Sequence, residues 1–378
     1  MKFFHLSDLH IGLKLNNHDL REDQEYIFNQ IIQAAEKFLP DAVVIAGDIY
    51  DKAMPSAEAV KIFDNFITNL VEKVPKISVM IISGNHDSSQ RLDVFRNILC
   101  HKNIFMIGMP PTAPEDFIEK VPLEDEFGKI NFYLLPFVKP STVKNIFGEE
   151  NNLSYNDAIH KLIERENIDT AERNVLVSHQ FYLPIDSDVE KIERMDSEVV
   201  TVGNIDAVYA DCLEKFDYAA LGHIHKPMKV GAENFRYCGT PLACSVSESG
   251  QKKSIILVEL KEKNNISIEN IELKPLHEVK ILTGTFEELL KQGCEDYVSL
   301  RLTKKVEVNF VELQDRLRAI FPNYLEIRPA VEENFSAEQK NISAENLDPF
   351  DLCCEFYPDI GDEEKILLQD IINSIQEM

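Results

Sequence analysis

Five apolar runs in this chain each break off into a loop of carboxylate, imidazole or amide side chains. In order, the loops are Asp8-Leu9-His10, Gly47-Asp48-Ile49-Tyr50-Asp51, Gly84-Asn85-His86-Asp87, Ser178-His179-Gln180 and Gly222-His223-Ile224-His225. The runs before them (KFFHL, AVVIA, SVMIIS, NVLVS and YAALG) are short and continuously apolar, the pattern of strands buried on both faces. Strand ends along one edge of a sheet converge, so side chains far apart in sequence can meet in one crevice. The glycines ahead of Asp48, Asn85 and His223 permit the tight strand-to-loop turns this requires. A lone Asp-x-His or His-x-His arises often by chance. An ordered set of five, each behind a buried strand, does not.

The rest of the chain supplies the layers for such an edge. Arg21 to Leu39 carries Tyr26, Ile27, Ile31, Ile32, Ala35 and Phe38 at helical spacing. Pro55-Ser56 opens a second helix with Val60, Phe63, Ile67, Leu70 and Val71 on one face, and a third is expected over roughly Ser88–Leu99. FYLLPF and SIILVEL add strands, which predominate after His179. The pattern predicts a two-sheet α/β sandwich with outer helices. A chain of 378 residues exceeds what one core usually organises, and its character changes near Lys274-Pro275. Residues 276–330 read as a compact βαβαβ unit with eight basic and nine acidic residues, a small α+β capping domain. Residues 331–378 hold two basic and thirteen acidic residues and read as a short helical tail. The expected boundaries are therefore 1–275, 276–330 and 331–378.

No run approaches the roughly 20 apolar residues of a membrane span, and His5 and Asp8 interrupt any signal-peptide core. Seven scattered cysteines without a Cys-x-x-Cys pair suggest reduced thiols in the cytoplasm. The net charge of −26 excludes a broad basic surface that grips nucleic acid unaided. It leaves room for a nucleic-acid enzyme that carries bound cations or has a cationic partner. The donors in the five loops are imidazoles, carboxylates and amides, without thiolate, a mixture that suits Mn²⁺ or Fe over structural zinc.

The ordered set resembles the calcineurin-like metallophosphoesterase superfamily, whose pattern is DxH, GDxxD, GNHD/E, a separate His and GHxH. The likeness covers roughly residues 1–260. HLSDLHIG, GDIYDKAMPS, GNHDSSQRL and YCGTPLACS are further similar to its branch of DNA-repair nuclease subunits that work with a coiled-coil ATPase. The resemblance implies two divalent metal ions, most simply Mn²⁺. One would sit on Asp8, His10, Asp48 and His225, the other on Asp48, Asn85, His179 and His223, with Asp48 shared. Paired ions about 3.5–4 Å apart clamp the attacking and leaving oxygens of a phosphate displacement and acidify a water. His86 would stabilise the transition state and protonate the leaving oxygen, and Asp51 would orient His86. The family activity is 3′→5′ exonuclease cutting of duplex DNA and endonuclease cutting of single strands and hairpins. The alternative is a stand-alone metallophosphoesterase acting on a nucleotide or small ester.

Three further expectations follow. Arg91, just past the GNHD loop, is a weak candidate for a DNA phosphate contact. Val60, Phe63 and Ile67, with Leu92, Phe95 and Ile98, offer apolar faces for a homodimer. Phe350, Leu352, Phe356 and Tyr357, then Ile366, Leu367, Leu368, Ile371, Ile372 and Ile375, make the tail a docking element for the ATPase. Of the remaining histidines, His5 is expected in the core, and His18, His101, His160 and His277 at the surface.

Overall fold

Strand Lys2–Leu6 lies near the middle of a six-stranded sheet and shows why two sheets form. Phe4 and Leu6 face a layer of helices while Phe3, on the opposite side, faces a second sheet. Strand Ala42–Ala46 divides the same way, with Val43 and Ile45 outward and Ala42, Val44 and Ala46 inward. That period-two division of an apolar run requires a cover on each side. The structure, a computed structural model, describes residues 1–148, 153–185, 195–198, 206–305, 310–328, 350, 353–354 and 361–376.

The first sheet runs in the order Ile266–Glu272, Ser254–Leu260, Lys2–Leu6, Ala42–Ala46, Ser78–Ile82, Ile104–Ile107. Its last four strands are parallel, and the first two are antiparallel additions. The second sheet has the order Met228–Val230, Ala232–Tyr237, Tyr218–Gly222, Arg173–His179, Gly128–Leu135, Glu119–Asp125. Four parallel strands form its centre, with an antiparallel strand on each edge. Helices Arg21–Phe38 and Ala57–Lys73 cover the first sheet, and Phe28 stacks on Phe66 at 4.6 Å. Helix Tyr155–Arg165 covers the second. The expected two-sheet α/β sandwich with outer helices is the observed fold.

Residues Val279–Gly284, Tyr297–Leu302 and Tyr324–Arg328 form a separate three-stranded sheet, all parallel, with helix Phe310–Ile320 and a short turn of helix at Phe286–Leu289. Thr285 and Glu288 close a reciprocal capping box on that turn. The unit seats on helix Arg21–Phe38, where buried Asp23 accepts hydrogen bonds from Tyr297 Oη (2.9 Å) and the His277 main-chain N–H (3.1 Å). His18 faces the Tyr324 carbonyl at 3.0 Å. His18 and His277 are thus contacts between elements rather than the surface residues expected. His5 is wholly buried between Tyr218 and the Leu221 carbonyl, and burial pushes it down to about 3.

The expected helix over Ser88–Leu99 is replaced by two four-residue turns, Ser89–Leu92 and Arg96–Leu99. Phe95 between them sits at φ 69°, in the left-handed region that interrupts a helix. Phe63, Ile67 and Leu92 are buried, so only Val60, Phe95 and Ile98 of the expected dimer face are exposed. At the C-terminus, helix Asp362–Gln376 exposes Ile366, Leu367 and Ile371 and buries Ile372. Leu352, Phe356 and Tyr357 lie outside the described residues. No helix among the described residues is long and apolar enough to cross a membrane.

Candidate metal centre

The carboxyl ends of the central strands meet across the two sheets, and the loops there adopt costly backbone. Asp8 (φ 52°), His10 (φ 41°), Asp48 (φ 50°) and His223 (φ 105°) all have positive φ without being glycine. Each such residue costs on the order of 1–3 kcal/mol and persists only where its surroundings over-determine it. Here they do. The Asp8 N–H donates to the Gly47 carbonyl (3.0 Å) and the His10 N–H to the Asp48 carbonyl (3.0 Å). The buried Asp87 carboxylate accepts from the main-chain N–H groups of Ile49, Tyr50 and Gly84 at 2.9–3.0 Å, stapling two loops together. Gln24 clasps a third, donating to the His10 carbonyl (2.8 Å) and accepting from Gly12 N–H (3.1 Å). At Gly84 no Cβ is possible, because it would collide with the Asp48 carboxylate.

The side chains so placed fall into overlapping groups, one of which joins His86 to His10 and Asp48. Asp8, His10 and His225 converge within 4.8 Å, as do Asp8, Asp48 and His179. His10 Nε2 and His225 Nε2 are 3.0 Å apart. The Asn85 side-chain oxygen is 3.0 Å from both His179 Nε2 and His223 Nδ1, and Asp48 Oδ2 is 3.4 Å from His179 Nε2 and 3.7 Å from His10 Nε2. His179 donates through Nδ1 to the Ala46 carbonyl (2.7 Å), which leaves Nε2 as the nitrogen that faces Asp48 and Asn85. His86, half-buried, packs edge-on against His10 with ring centres 4.9 Å apart.

Burial dominates the electrostatics. It raises the Asp8 carboxyl and drives His10 well below the ordinary imidazole range. It opposes protonation of His179, yet the Asp48 carboxylate alongside lifts that ring to about 9. Asp87 is pushed up to about 6 by burial and by Asp48. Imidazole nitrogens face each other and carboxylates crowd together, an arrangement that divalent cations would balance. All seven residues expected as ligands (Asp8, His10, Asp48, Asn85, His179, His223, His225) are brought together, and the donor set fits hard-to-borderline divalent ions.

Asp51 reaches His86 differently from what was expected. Its main-chain carbonyl, rather than its carboxylate, stands 3.0 Å from His86 Nδ1. Arg91 is exposed in the turn after the GNHD loop. Sequence reasoning missed the residues behind the ligands. Ser197 Oγ lies 2.7 Å from His225 Nδ1, the His225 N–H donates to Glu198 (2.8 Å), and Asp206 stands 3.9 Å from His223 Nε2. Glu248, beside His225, accepts hydrogen bonds from Thr240 and Ser245 of YCGTPLACS. Cys244 also lies near His225, but burial keeps its thiol protonated.

Residues 1–227 match the calcineurin-like phosphoesterase family, and the chain belongs to it. It carries a metal-dependent phosphoesterase domain. Residues 273–359 match the type 5 capsule protein repressor C-terminal domain. The chain is 29% identical over 374 residues to the SbcD component of the nuclease SbcCD from Staphylococcus epidermidis, covering 96% of this chain and 94% of that protein. The resemblance to the SbcD nuclease subunits therefore extends over nearly the whole chain. Among solved structures, it is similar to GAP50, the anchor in the inner membrane complex of Plasmodium (12% identity, TM-score 0.42, 89% of this chain and 98% of that one). A dimetal phosphatase from Danio rerio is also similar (11% identity, TM-score 0.39, 72% and 96%).

Proposed function

We propose that the chain is the Mn²⁺-dependent nuclease subunit of an SbcCD-type complex, hydrolysing DNA phosphodiesters in end processing, repair and recombination. The observation that carries this reading is the convergence of seven donor side chains at the shared strand ends, with His86 beside them, in a chain similar end to end to a nuclease subunit. One ion would be held by Asp8, His10, Asp48 and His225, and a second by Asp48, Asn85, His179 and His223. Bound there, divalent ions supply Lewis acidity at phosphate oxygens and an acidified water.

The chain's own groups do the rest. A carbonyl only accepts, so the Asp51 main chain fixes the hydrogen of His86 on Nδ1 and leaves Nε2 to face the substrate. By taking up a second hydrogen at Nε2 the ring becomes an imidazolium, and from that N–H His86 stabilises the phosphoryl oxygens and hands the hydrogen to the leaving alkoxide. Asp51 acts here as a positioning residue through its backbone, and Arg91 reaches a flanking phosphate. Repulsion from the charge of −26 is offset locally by the two ions, by the near-neutral 276–330 unit and by a basic groove on an SbcC-type coiled-coil ATPase. The tail from residue 331 docks that ATPase, with Ile366, Leu367 and Ile371 as the exposed apolar anchors. Exposed Met54, Val60, Val94, Phe95 and Ile98 pair two copies into a homodimer, and the complex works in the cytoplasm.

Incubating the protein with linear duplex, single-stranded and hairpin DNA in Mn²⁺, Mg²⁺ or EDTA tests the reading. Mn²⁺-dependent shortening of duplex ends and opening of hairpins is expected. A stand-alone small-ester phosphoesterase is favoured by one observation, the acidic charge. Hydrolysis of a chromogenic diester with no DNA cutting, even with the ATPase present, would establish that second reading instead.

A further inference from the structure

Behind His225 lies a buried polar network that the phosphoester chemistry does not itself use. Ser197 Oγ lies 2.7 Å from His225 Nδ1 and donates to Glu248 Oε1 at 2.8 Å. A hydroxyl that donates to a carboxylate has only acceptor capacity left for its other neighbour. Nδ1 must then carry the ring hydrogen, and the lone pair stays on Nε2, the nitrogen that faces His10 at 3.0 Å. Glu248 is itself held from every side. Lys253 Nζ donates to Oε2 at 2.5 Å, Thr240 Oγ1 to Oε2 at 3.0 Å and Ser245 Oγ to Oε1 at 3.2 Å. Glu248 is 1% exposed and Lys253 4%.

Burying such a pair is a poor way to stabilise a fold, since apolar side chains of similar volume do as well or better. The pair makes sense as a device for aiming something. What it aims is His225, through a single hydroxyl. The segment that brings Ser197 is fastened to the same loop, by Asp196 N–H on Ser247 Oγ (3.1 Å) and Gln251 Nε2 on Met195 Sδ (3.1 Å). Glu198 holds the His225 main chain from the adjacent position (2.8 Å).

We propose that Ser197 and Glu248, braced by Lys253, are positioning residues that lock the ring of His225 with Nε2 turned into the centre. They thereby set the affinity of the ion shared by Asp8, His10 and His225 and leave the ion on Asn85, His179 and His223 alone. This rests on the metal-dependent reading of the site. The closing experiment is calorimetric titration of Mn²⁺ into chelator-stripped full-length protein, with melting temperature measured in parallel. Wild type takes up two ions. In Ser197→Ala one of the two binding events weakens about 10- to 100-fold, the usual effect of losing such an outer hydrogen bond, while the other is unchanged. Ser197→Thr, which restores the hydroxyl, restores the affinity. Glu248→Gln moves the same event the same way. Because that variant strands Lys253 and can fail to fold, Ser197→Ala decides the matter. Two wild-type affinities in Ser197→Ala, or equal weakening of both events with a lowered melting temperature, would overturn the proposal. A wild type that binds no divalent ion would overturn both it and the reading beneath it.

Discussion

At the amino ends of the central strands, Arg173 donates to Asp125 (2.5 and 3.1 Å), to the Gly128 carbonyl of its own sheet, and to the Leu260 and Lys261 carbonyls of the other. Lys263 and Asp217 pair close by at 2.8 Å. At the carboxyl ends of the same strands, His10 faces His225, Asn85 lies between two imidazoles, and Asp8 and Asp48 share one crevice with His179. One end balances its charges internally and joins the sheets. The other collects imidazole and carboxylate donors in one crevice, a set suited to cations, on turns whose positive φ is held by Asp87 and Gln24. The comparison separates stability from chemistry along the strand direction.

Substitutions at the two ends should therefore fail in different ways. The largest effect is expected from Asp48→Ala, which removes the carboxylate common to both donor groups. Metal analysis should find both ions lost and DNA cutting reduced to the level seen in EDTA. His86→Ser should slow cutting by about 10²- to 10⁴-fold, the worth of a positioned acid, while metal content stays at the wild-type value. Loss of metal in that variant would erase the distinction between ligand and catalyst. Next comes the ion effect on stability. At a Mn²⁺ concentration about 100 times the dissociation constant, wild type should gain roughly 2.7 kcal/mol for each ion bound on thermal melting, and Asp48→Ala should gain almost nothing.

The smallest effect belongs to the amino end. Burial opposes ionisation of Asp125, but Arg173 and the chain's amino terminus hold its carboxyl at about 2. An Asp lowered from an unfolded value near 3.9 contributes stability present above about pH 4 and lost as pH falls toward 2. Asp125→Asn should thus cost about 2 kcal/mol at neutral pH and much less near pH 2, with Mn²⁺ uptake untouched. Urea melts across that range, alongside metal titration, check both halves. A fall in metal affinity would show that the two ends are coupled.

How far the sequence disclosed this follows from where burial is symmetrical. Lys2–Leu6, Ala42–Ala46, Ser78–Ile82 and Tyr218–Gly222 are covered on both faces, so their continuous apolar text marks them and the ligand loops behind them. The edge strands Glu119–Asp125 and Ile266–Glu272 are half exposed and written in charged residues, which hid them. The failed helix over Ser88–Leu99 had helical spacing, but a left-handed Phe95 splits it between Asp93, which accepts from the Gly108 N–H, and Arg96, which pairs with Glu119. Ser197 and Glu248 stayed invisible because supporting hydrogen bonds need only a short polar side chain in the right place, and such residues are common everywhere. His86 was legible by its neighbour Asn85. Its partner on the Asp51 main chain was not, because a backbone carbonyl leaves no mark on the choice of residue.

The central claim is that the carboxyl ends of both sheets together hold a pair of divalent ions. Anomalous diffraction from crystals grown with Mn²⁺ tests it most directly. Two peaks per chain are expected, one bounded by Asp8, His10 and His225, the other by Asn85, His179 and His223, with Asp48 between them. A single peak, no peak, or density displaced toward Cys244 and Glu248 would contradict the account.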